Sequence, residues 1–210
     1  NKQSEEMWQP HGVNDNDFVS IFTGTHGPAN GLNVVIDTAM ELQKRGRDDI
    51  KLVLVGQGKE KASLVQSAKT NKLSNIIFHK PVDKVMLAQL MKRADVGMQL
   101  LANIPAFYYG TSPNKFFDYI SAGLPVINNY PGWLADMINE FNCGMAIPPE
   151  DPASFANALE KMADNKNELP IMGQAAIKLA KNKFDRNMLS DEFVSWLEVS
   201  SGITTNYEQI

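Results

Sequence analysis

"FVSIFTGTHGPANGL", residues 18–32, joins an apolar run to a stretch with helical spacing through a loop that contains three glycines. A β-rich run, a glycine-rich turn and an amphipathic helix in this order are typical of the first unit of a parallel α/β domain. Gly24, Gly27 and Gly31 are spaced G-x-x-G-x-x-x-G, which differs from the G-x-G-x-x-G dinucleotide fingerprint. The loop either binds a phosphate through its backbone amides or simply connects strand to helix.

The same alternation continues along the chain. The pattern predicts strands at residues 18–23, 50–55, 75–78, 95–100, 125–128 and 144–147. It predicts helices at residues 31–46, 59–72, 83–93, 113–122, 131–141, 152–164, 168–182 and 186–199. Strands that alternate with helices of this length form right-handed crossovers and a parallel sheet. We therefore predict an α/β fold with a doubly wound, Rossmann-like, six-stranded parallel sheet, helices on both faces, and ligands at the carboxyl ends of the strands.

Composition narrows the functional classes. With 210 residues and 43% hydrophobic side chains, the chain can bury a sizeable core. A net charge of −4 argues against a general nucleic-acid or anionic-membrane surface, since both need clustered Lys and Arg. The single cysteine, Cys143, excludes an internal disulfide framework and agrees with a reducing compartment. We expect a soluble, cytoplasmic protein.

The two ends differ from the middle. Residues 1–17 are polar and aperiodic, which favours an interdomain linker or the cut end of a longer protein. Residues 18–183 are expected to form the ligand-binding domain, and residues 184–210 a terminal helix and tail. On that helix Met188, Phe193 and Trp196 lie roughly on one face, so it needs a surface on which to dock.

A second glycine pair follows the second predicted strand. In "LVLVGQGKEK", residues 52–61, Gly56 and Gly58 end a strand and open a helix, where backbone amides are again exposed. One G-x-G is a weak signal by itself. Two glycine loops on neighbouring strands favour a shared ligand site more than either loop does alone.

The third segment is "YYGTSPNKFFDYISAGLPVI", residues 108–127, in which Thr111, Ser112 and Pro113 are expected to cap a helix. Lys115 and Asp118 are three residues apart and so lie on one helix face. A lysine at a helix N-terminus suits a pyrophosphate, and a carboxylate one turn later suits ribose hydroxyls. The alternative is a surface ion pair behind an ordinary helix cap.

Other candidate sites are weaker. Asp15 and Asp17 form a D-x-D pair of the sort that can hold a metal, but they precede the first strand in linker-like sequence. His11 falls in the same linker, whereas His79 ends the third predicted strand and could line a cleft. No Cys/His cluster has metal-ligand spacing and no G-x-S-x-G elbow is present. We expect neither a metal nor a cofactor.

The order of the motifs resembles a known family. Five segments resemble the C-terminal, donor-nucleotide-binding domain of retaining glycosyltransferases of family GT4, which have the GT-B fold. They are "GTHGPANGL", "LVLVGQGKEK", "LSNIIFHKPVDKVMLAQLMKRADVGMQLL", "SPNKFFDYISAGLPVI" and "CGMAIPPEDPASFANAL". The resemblance covers residues 18–183. Within the family the resemblance is greatest to the aminosugar transferases of bacterial surface-polysaccharide assembly, such as those that use N-acetylfucosamine.

The resemblance implies a nucleotide-diphosphate sugar, usually UDP-linked, that is transferred with retention and without a bound metal. The matched donor-binding positions are Gly24, Thr25, His26, Gly27 and Asn30 in the first loop, Gly56 and Gly58 in the second, Lys80, Pro81 and Val82 near the base, Ser112, Pro113, Asn114 and Lys115 near the diphosphate, and Asp118 at the ribose. Lys115 would stabilise the diphosphate. The remaining catalytic residues, and the glycan or lipid-linked acceptor, would belong to a missing N-terminal domain, so that this chain alone would be inactive. A full-length protein at the inner face of the membrane fits this interpretation.

Three departures from the family pattern leave alternatives open. Thr25 and Asn30 stand where many members have an arginine and a lysine, and Gly110 stands where the first carboxylate of the E-x7-E pattern would fall. Either Lys115 and backbone amides bind the phosphates, or donor binding is weak. The alternatives are an epimerase of nucleotide-diphosphate sugars with the GT-B fold, and a degenerate, non-catalytic sugar-nucleotide-binding module.

Overall fold

A parallel sheet of six strands organises the protein, and the computed structural model describes residues 12–202. The strands are β1 (Phe18–Thr23), β2 (Ile50–Val55), β3 (Ile76–His79), β4 (Val96–Gln99), β5 (Val126–Asn128) and β6 (Gly144–Ala146). The helices are α1 (Asn33–Lys44), α2 (Lys61–Thr70), α3 (Lys84–Arg93), α4 (Pro105–Gly110), α5 (Asn114–Ser121), α6 (Trp133–Phe141), α7 (Pro152–Asp164), α8 (Leu169–Phe184) and α9 (Arg186–Ser201). Short 3₁₀ turns lie at Pro28–Asn30 and Lys166–Glu168.

The strand order is β3-β2-β1-β4-β5-β6, and every neighbouring pair is parallel. This confirms the predicted doubly wound, Rossmann-like fold. The chain reverses its direction of winding between β1 and β4. In such sheets the crevice for a ligand lies at this switch point, outside the carboxyl ends of the strands.

Helices cover both faces of the sheet, as predicted. On one face α1, α2 and α7 pack against side chains such as Phe22 and Leu54. On the other face α3, α5, α6 and α8 pack against Val19, Ile21 and Val53. Strands buried on both faces account for the near-continuous apolar runs in the sequence.

Most predicted elements are present, with ends that differ by a few residues. The predicted helix at 152–164 is confirmed as α7, where Asp151 caps the helix by accepting from the backbone N–H of Ser154 at 2.8 Å. The first predicted helix begins later than expected, because the 3₁₀ turn Pro28–Asn30 precedes it. The short helix α4 was not expected, since its six residues are too few to show a helical period.

The cap of α5 lies within the predicted segment, but no side chain caps the helix. Pro113 occupies the N-cap position in an extended conformation. Ser112 precedes this proline, and a residue in that position is disfavoured from the helical conformation. Neither Thr111 nor Ser112 therefore supplies the expected capping hydroxyl.

The last helix, α9, has no buried residue. Its exposed apolar side chains are Leu189, Phe193, Val194, Trp196, Leu197 and Val199. The predicted linker at 1–17 falls largely outside the described residues, as do His11 and the tail from residue 203 onward. Among residues 12–202, no helix has the length and apolar character needed to cross a membrane.

Candidate functional site

A cleft with a volume of about 330 Å³ lies at the carboxyl ends of β1, β2 and β3. Five of the residues predicted from the sequence line it together, namely Gly24, Thr25, Gly56, Pro81 and Val82. The other lining residues are Thr23, Val55, Gln57 and Leu87. The cleft therefore has an apolar wall from Val55, Pro81, Val82 and Leu87, and a wall of glycine backbone next to it.

The two glycine loops touch each other, and only glycine fits at their contact. A Cβ on Gly56 would lie 1.8 Å from the carbonyl oxygen of Gly24, and the φ of Gly56 is +152°. The backbone N–H of Gly24 donates to the carbonyl of Val55 at 3.0 Å. The loops after β1 and β2 thus form one continuous backbone surface, as the paired glycine motifs suggested.

Lys115 of α5 lies beside this backbone surface. A Cβ on Gly24 would meet the Cε of Lys115 at 3.4 Å. The Nζ of Lys115 donates to Oδ1 of Asn30 at 2.9 Å and lies 4.9 Å from the centre of the Phe22 ring. Burial lowers the pKa of Lys115 to about 8. A partly desolvated ammonium group is therefore held at the edge of the first glycine loop.

Asn30 connects this ammonium group to the loop. Its Nδ2 donates to the carbonyl oxygen of Thr25 at 2.8 Å, while its Oδ1 accepts from Lys115. The arrangement brings together residues 24–30 and Lys115, which are far apart in the sequence. Lys115 bonds to Asn30 and forms no ion pair with Asp118 in the part of the chain that the structure describes, so the surface ion-pair interpretation is wrong.

His26 occupies a different position from its neighbours in the loop. Its ring is fully buried between Phe22 and Phe78, and neither ring nitrogen has a hydrogen-bond partner among the described residues. Burial, and then the positive charge of Lys61, lower the pKa of His26 to about 4. Its side chain does not line the cleft.

The backbone of His26 instead fixes the two loops to each other. Its N–H donates to the carbonyl of Gln57 and its carbonyl accepts from the N–H of Glu60, both at 3.0 Å. Gly58 packs directly on this backbone, since a Cβ there would lie 2.2 Å from the carbonyl oxygen of His26. Gly27 follows as the residue before the 3₁₀ turn. His26, Gly27 and Gly58 therefore fix the shape of the loop without lining the cleft.

The remaining predicted residues lie outside the cleft wall. Lys80, Ser112, Asn114 and Asp118 are exposed, and Pro113 is buried at the start of α5. Asp118 follows Lys115 by three residues on α5, so both face the same side of that helix. Neither Asp118 nor Lys115 is part of the cleft lining.

Several residues at the site were missed by the sequence analysis. Gln57 and Leu87 line the cleft, and Lys61 donates its Nζ to the carbonyls of Gly56 at 2.6 Å and His79 at 2.7 Å. Tyr119, described below, links α5 to the end of β1. All four lie within segments quoted from the sequence, but Leu87 and Tyr119 reach the site through tertiary packing.

A second cavity, of about 430 Å³, opens on the other side of the first loop. A hydrogen bond of 3.0 Å from the N–H of Ala102 to the carbonyl of Ala29 joins the loops after β4 and β1 at its edge. Among the described residues, its walls carry the carboxylates of Asp37, Glu60 and Glu150 and no basic side chain. An anionic ligand would be repelled there, which makes the first cleft the candidate phosphate site.

Comparison with known proteins identifies the family of this chain. The family model described as "Glycosyl transferases group 1" matches residues 3–179. D-inositol 3-phosphate glycosyltransferase of Paenarthrobacter aurescens (strain TC1) is 24% identical over 201 residues, which cover 91% of this chain and 47% of that protein. The chain thus spans about half the length of this curated relative.

Solved structures share the fold. Anabaena Alr3699/HepE in complex with UDP and glucose superposes with a TM-score of 0.77 at 18% identity, covering 94% of this chain and 52% of that one. WaaG, a glycosyltransferase involved in lipopolysaccharide biosynthesis, gives a TM-score of 0.68 at 22% identity, covering 86% of this chain and 47% of that one. Both matches again span about half of the larger protein.

Proposed function

The chain belongs to the glycosyl transferases of group 1, and on this premise we propose that it is the donor-binding domain of a retaining, metal-independent glycosyltransferase. Its fold is one Rossmann-like half of a GT-B fold. The proposed donor is a nucleotide-diphosphate sugar, UDP-linked, used in bacterial surface-polysaccharide synthesis. The UDP in the Anabaena complex and the lipopolysaccharide role in the name of WaaG support this choice.

The observation that carries the proposal is a cleft with an apolar wall and a wall of glycine backbone that a lysine side chain contacts. Val55, Val82 and Leu87 offer the surface on which a pyrimidine ring can pack. The backbone of Gly24 lines the same cleft, and the side chain of Lys115 contacts Gly24 although it is not itself part of the lining. A nucleoside diphosphate has the same order of parts, a flat apolar base followed by charged phosphates.

The described residues suggest a role for each part of the donor. The hydroxyl of Thr25, the amides of the glycine loops and Lys115 would bind the diphosphate, and Asp118 would accept hydrogen bonds from ribose hydroxyls. When the sugar leaves, negative charge develops on the diphosphate. An ammonium group already held in place stabilises that charge with little reorganisation.

Lys115 would therefore take over the role of the cations absent at Thr25 and Asn30. Asn30 holds the ammonium group through its Oδ1, so that the charge lies next to the loop although it comes from another helix. A bound phosphate would exchange this neutral acceptor for an anionic one. Such charge-assisted hydrogen bonds are about twice as strong as neutral ones.

We propose further that a separate domain binds the glycan or lipid-linked acceptor. The coverage of about half of each relative supports this, and the exposed apolar face of α9 offers a surface for that domain to pack on. We place the protein in the cytoplasm, at the membrane face in its full-length form, where activated sugars meet lipid-linked acceptors. In a full-length protein, slowed hydrogen exchange along α9 relative to this chain would support the packing, and unchanged exchange would argue against it.

Calorimetric titration with UDP tests the donor proposal directly. We expect binding with a Kd below about 1 mM, an interaction of roughly −4 kcal/mol or better. Amide NMR shifts should appear at residues 24–27, 56–58 and 112–118. Binding should be unaffected by EDTA, and GDP should bind more weakly because its larger base must fit against the same apolar wall. If UDP shifts none of these amides, the donor proposal is wrong.

A matched pair of variants makes the titration specific. Lys115→Ala removes the charge at the cleft, whereas Lys69→Ala removes the same charge from the exposed end of α2, which leads away from the cleft. UDP should bind the first variant more weakly and the second as the wild type does. Equal losses in both would indicate a general effect of net charge.

A further inference from the structure

The sheet opens at its switch point, directly in front of the candidate phosphate loop. β1 and β4 pair only at Ser20 with Val96 and Ile21 with Gly97, whereas β1 pairs with β2 as far as Thr23. The pairing of β1 with β4 therefore ends at Ile21, two residues before the end of β1 at Thr23. Buried backbone groups must find other partners, because an unpaired one is strongly unfavourable.

The hydroxyl of Tyr119 bridges this opening. It accepts from the backbone N–H of Thr23 at 2.9 Å and lies 3.1 Å from the side-chain hydroxyl of the same residue. It also lies 3.5 Å from the carbonyl oxygen of Met98 in β4, to which it can donate. One side-chain oxygen thus connects the end of β1 with β4 where the two strands separate.

The sequence makes room for this side chain. Tyr119 is fully buried, and its ring lies against β4 at Gly97. A Cβ at Gly97 would approach the ring to 2.5 Å, closer than any real Cβ contact allows. Glycine in the middle of a strand is otherwise unfavourable, and here the close approach of the ring accounts for it.

Tyr119 also lies one helical turn after Lys115 on α5. Residues four apart share a helix face, so the two side chains extend from α5 toward the same end of β1. Thr23, which Tyr119 contacts, immediately precedes Gly24, which Lys115 contacts. The Tyr119 hydroxyl therefore ties the helix that carries Lys115 to the residue before the glycine loop, in addition to the link through Asn30.

We propose that Tyr119 is a positioning residue for diphosphate binding. Its hydroxyl holds the glycine loop after β1 and the Lys115 ammonium group at a fixed separation, so that both can contact the same phosphates. This inference rests on the proposed function, because it assumes a diphosphate ligand in the cleft. Tyr119 itself touches no ligand and acts through Thr23 and Lys115.

Tyr119→Phe tests the proposal, since it removes the hydroxyl and keeps the ring. By calorimetry, the affinity for UDP should fall about 3- to 10-fold, the range expected for one neutral hydrogen bond. The affinity for uridine, which lacks the diphosphate, should stay within about twofold, because the apolar wall is unchanged. A role confined to folding would affect both ligands equally.

Two further variants separate positioning from general stability. In a Lys115→Ala background, Tyr119→Phe should cause no further loss of UDP affinity, since coupled residues are not additive. Tyr130→Phe is the matched control, because Tyr130 is equally buried and its hydroxyl accepts from Nε2 of Gln99 at 3.1 Å without touching α5 or β1. This control should leave the ratio of UDP to uridine affinity unchanged.

Different results would overturn the proposed function and the positioning role of Tyr119. Failure of the wild-type chain to bind UDP would overturn the proposed function and this inference with it. Wild-type binding that Tyr119→Phe leaves intact, or a further loss from Tyr119→Phe in the Lys115→Ala background, would overturn the positioning role alone. If Tyr119→Phe does not fold, Thr23→Val replaces it; it removes the contact between the two hydroxyls and keeps the hydrogen bond from the Thr23 N–H. Because Thr23 also lines the cleft, the selective loss for UDP must disappear in the Lys115→Ala background. A loss that persists there, or an equal loss for uridine, would overturn the role.

Discussion

Replacing Lys115 with methionine should raise the free energy of unfolding of this domain while weakening its binding of UDP. Methionine keeps most of the aliphatic side chain that packs beside Phe22 and Gly24, and it removes the charge. Burial lowers the pKa of Lys115 to about 8 from an ordinary value of 10.5. The folded state therefore disfavours the charged form of Lys115, and replacing the lysine with methionine removes this unfavourable contribution to the free energy of folding.

The magnitude follows from this shift. A difference of 10.5 − 8, or 2.5 pH units, corresponds to about 3 kcal/mol at about 1.36 kcal/mol per unit. The side chain is only partly buried, and the ammonium also loses its contacts with Asn30 and the Phe22 ring, so we expect a net gain of about 1 kcal/mol. For UDP, loss of one charge-assisted hydrogen bond of about 1.5–3 kcal/mol predicts roughly 10- to 150-fold weaker binding.

Urea unfolding as a function of pH tests the stability half of this prediction. Because the folded-state pKa of Lys115 is lowered, the unfolded chain binds the extra proton between pH 8 and 10.5. The free energy of unfolding of the wild type should therefore rise with pH across this window relative to the variant. The advantage of the variant should be greatest below pH 8 and shrink toward pH 10.5.

Calorimetry measures the binding half, with Lys69→Met as the control for loss of an exposed charge. Wild-type affinity for UDP should also fall as pH rises above about 8, as the free ammonium group loses its proton. A Lys115→Met protein with a lower free energy of unfolding than the wild type at pH 7 would contradict the prediction. So would a Lys115→Met protein that binds UDP as tightly as the wild type does.

Three other substitutions test further parts of the site. Asp118→Asn should weaken UDP binding roughly tenfold, yet leave a UDP analogue without ribose hydroxyls bound equally by both proteins, as measured by calorimetry. Between pH 6.5 and 4 the unfolded chain protonates His26, whereas the folded state, with a His26 pKa of about 4, does not, so the free energy of unfolding falls as the pH falls. His26→Phe should remove this part of the acid destabilisation. Urea unfolding at both pH values measures the effect, and an unchanged pH dependence contradicts the prediction. Gly56→Ala should lower the free energy of unfolding by more than about 3 kcal/mol and abolish UDP binding. Gly46 also has a positive φ, but a Cβ there would have no atom within 4 Å, so Gly46→Ala should lower the free energy of unfolding by only about 1 kcal/mol. Similar losses in both variants would contradict the close contact at Gly56.

The fold was predictable because its signals are local. Each strand corresponds to an apolar run in the sequence, and each long helix to apolar residues at helical spacing. The alternation of these two patterns indicated a doubly wound sheet before any contact was known. The start of α7 was equally clear, since Asp151 and Pro152 are a cap and a first helical residue that act within one turn. By contrast α4 has six residues and no period, and the expected capping hydroxyl of α5 is absent because Pro113 occupies the N-cap position.

The candidate site was only partly predictable for a physical reason. Glycine loops and the lysine of α5 could be identified as pieces, since each pattern lies within a short segment. Leu87 and Tyr119 carry no such pattern, because each looks like an ordinary core residue of an amphipathic helix. His26, by contrast, was predicted at the phosphate loop but lies buried between two aromatic rings.

By itself, the sequence determined the strand and helix order, the glycine loops at the carboxyl ends of the strands, and the absence of cations at Thr25 and Asn30. Tertiary packing alone establishes that Lys115 donates to Asn30, 85 positions earlier in the chain, and that the Tyr119 hydroxyl spans the opening between β1 and β4. The reason is that backbone preferences and hydrophobic periods act over a few residues. The separation of an ammonium group from a glycine loop depends on how a whole helix packs on the sheet.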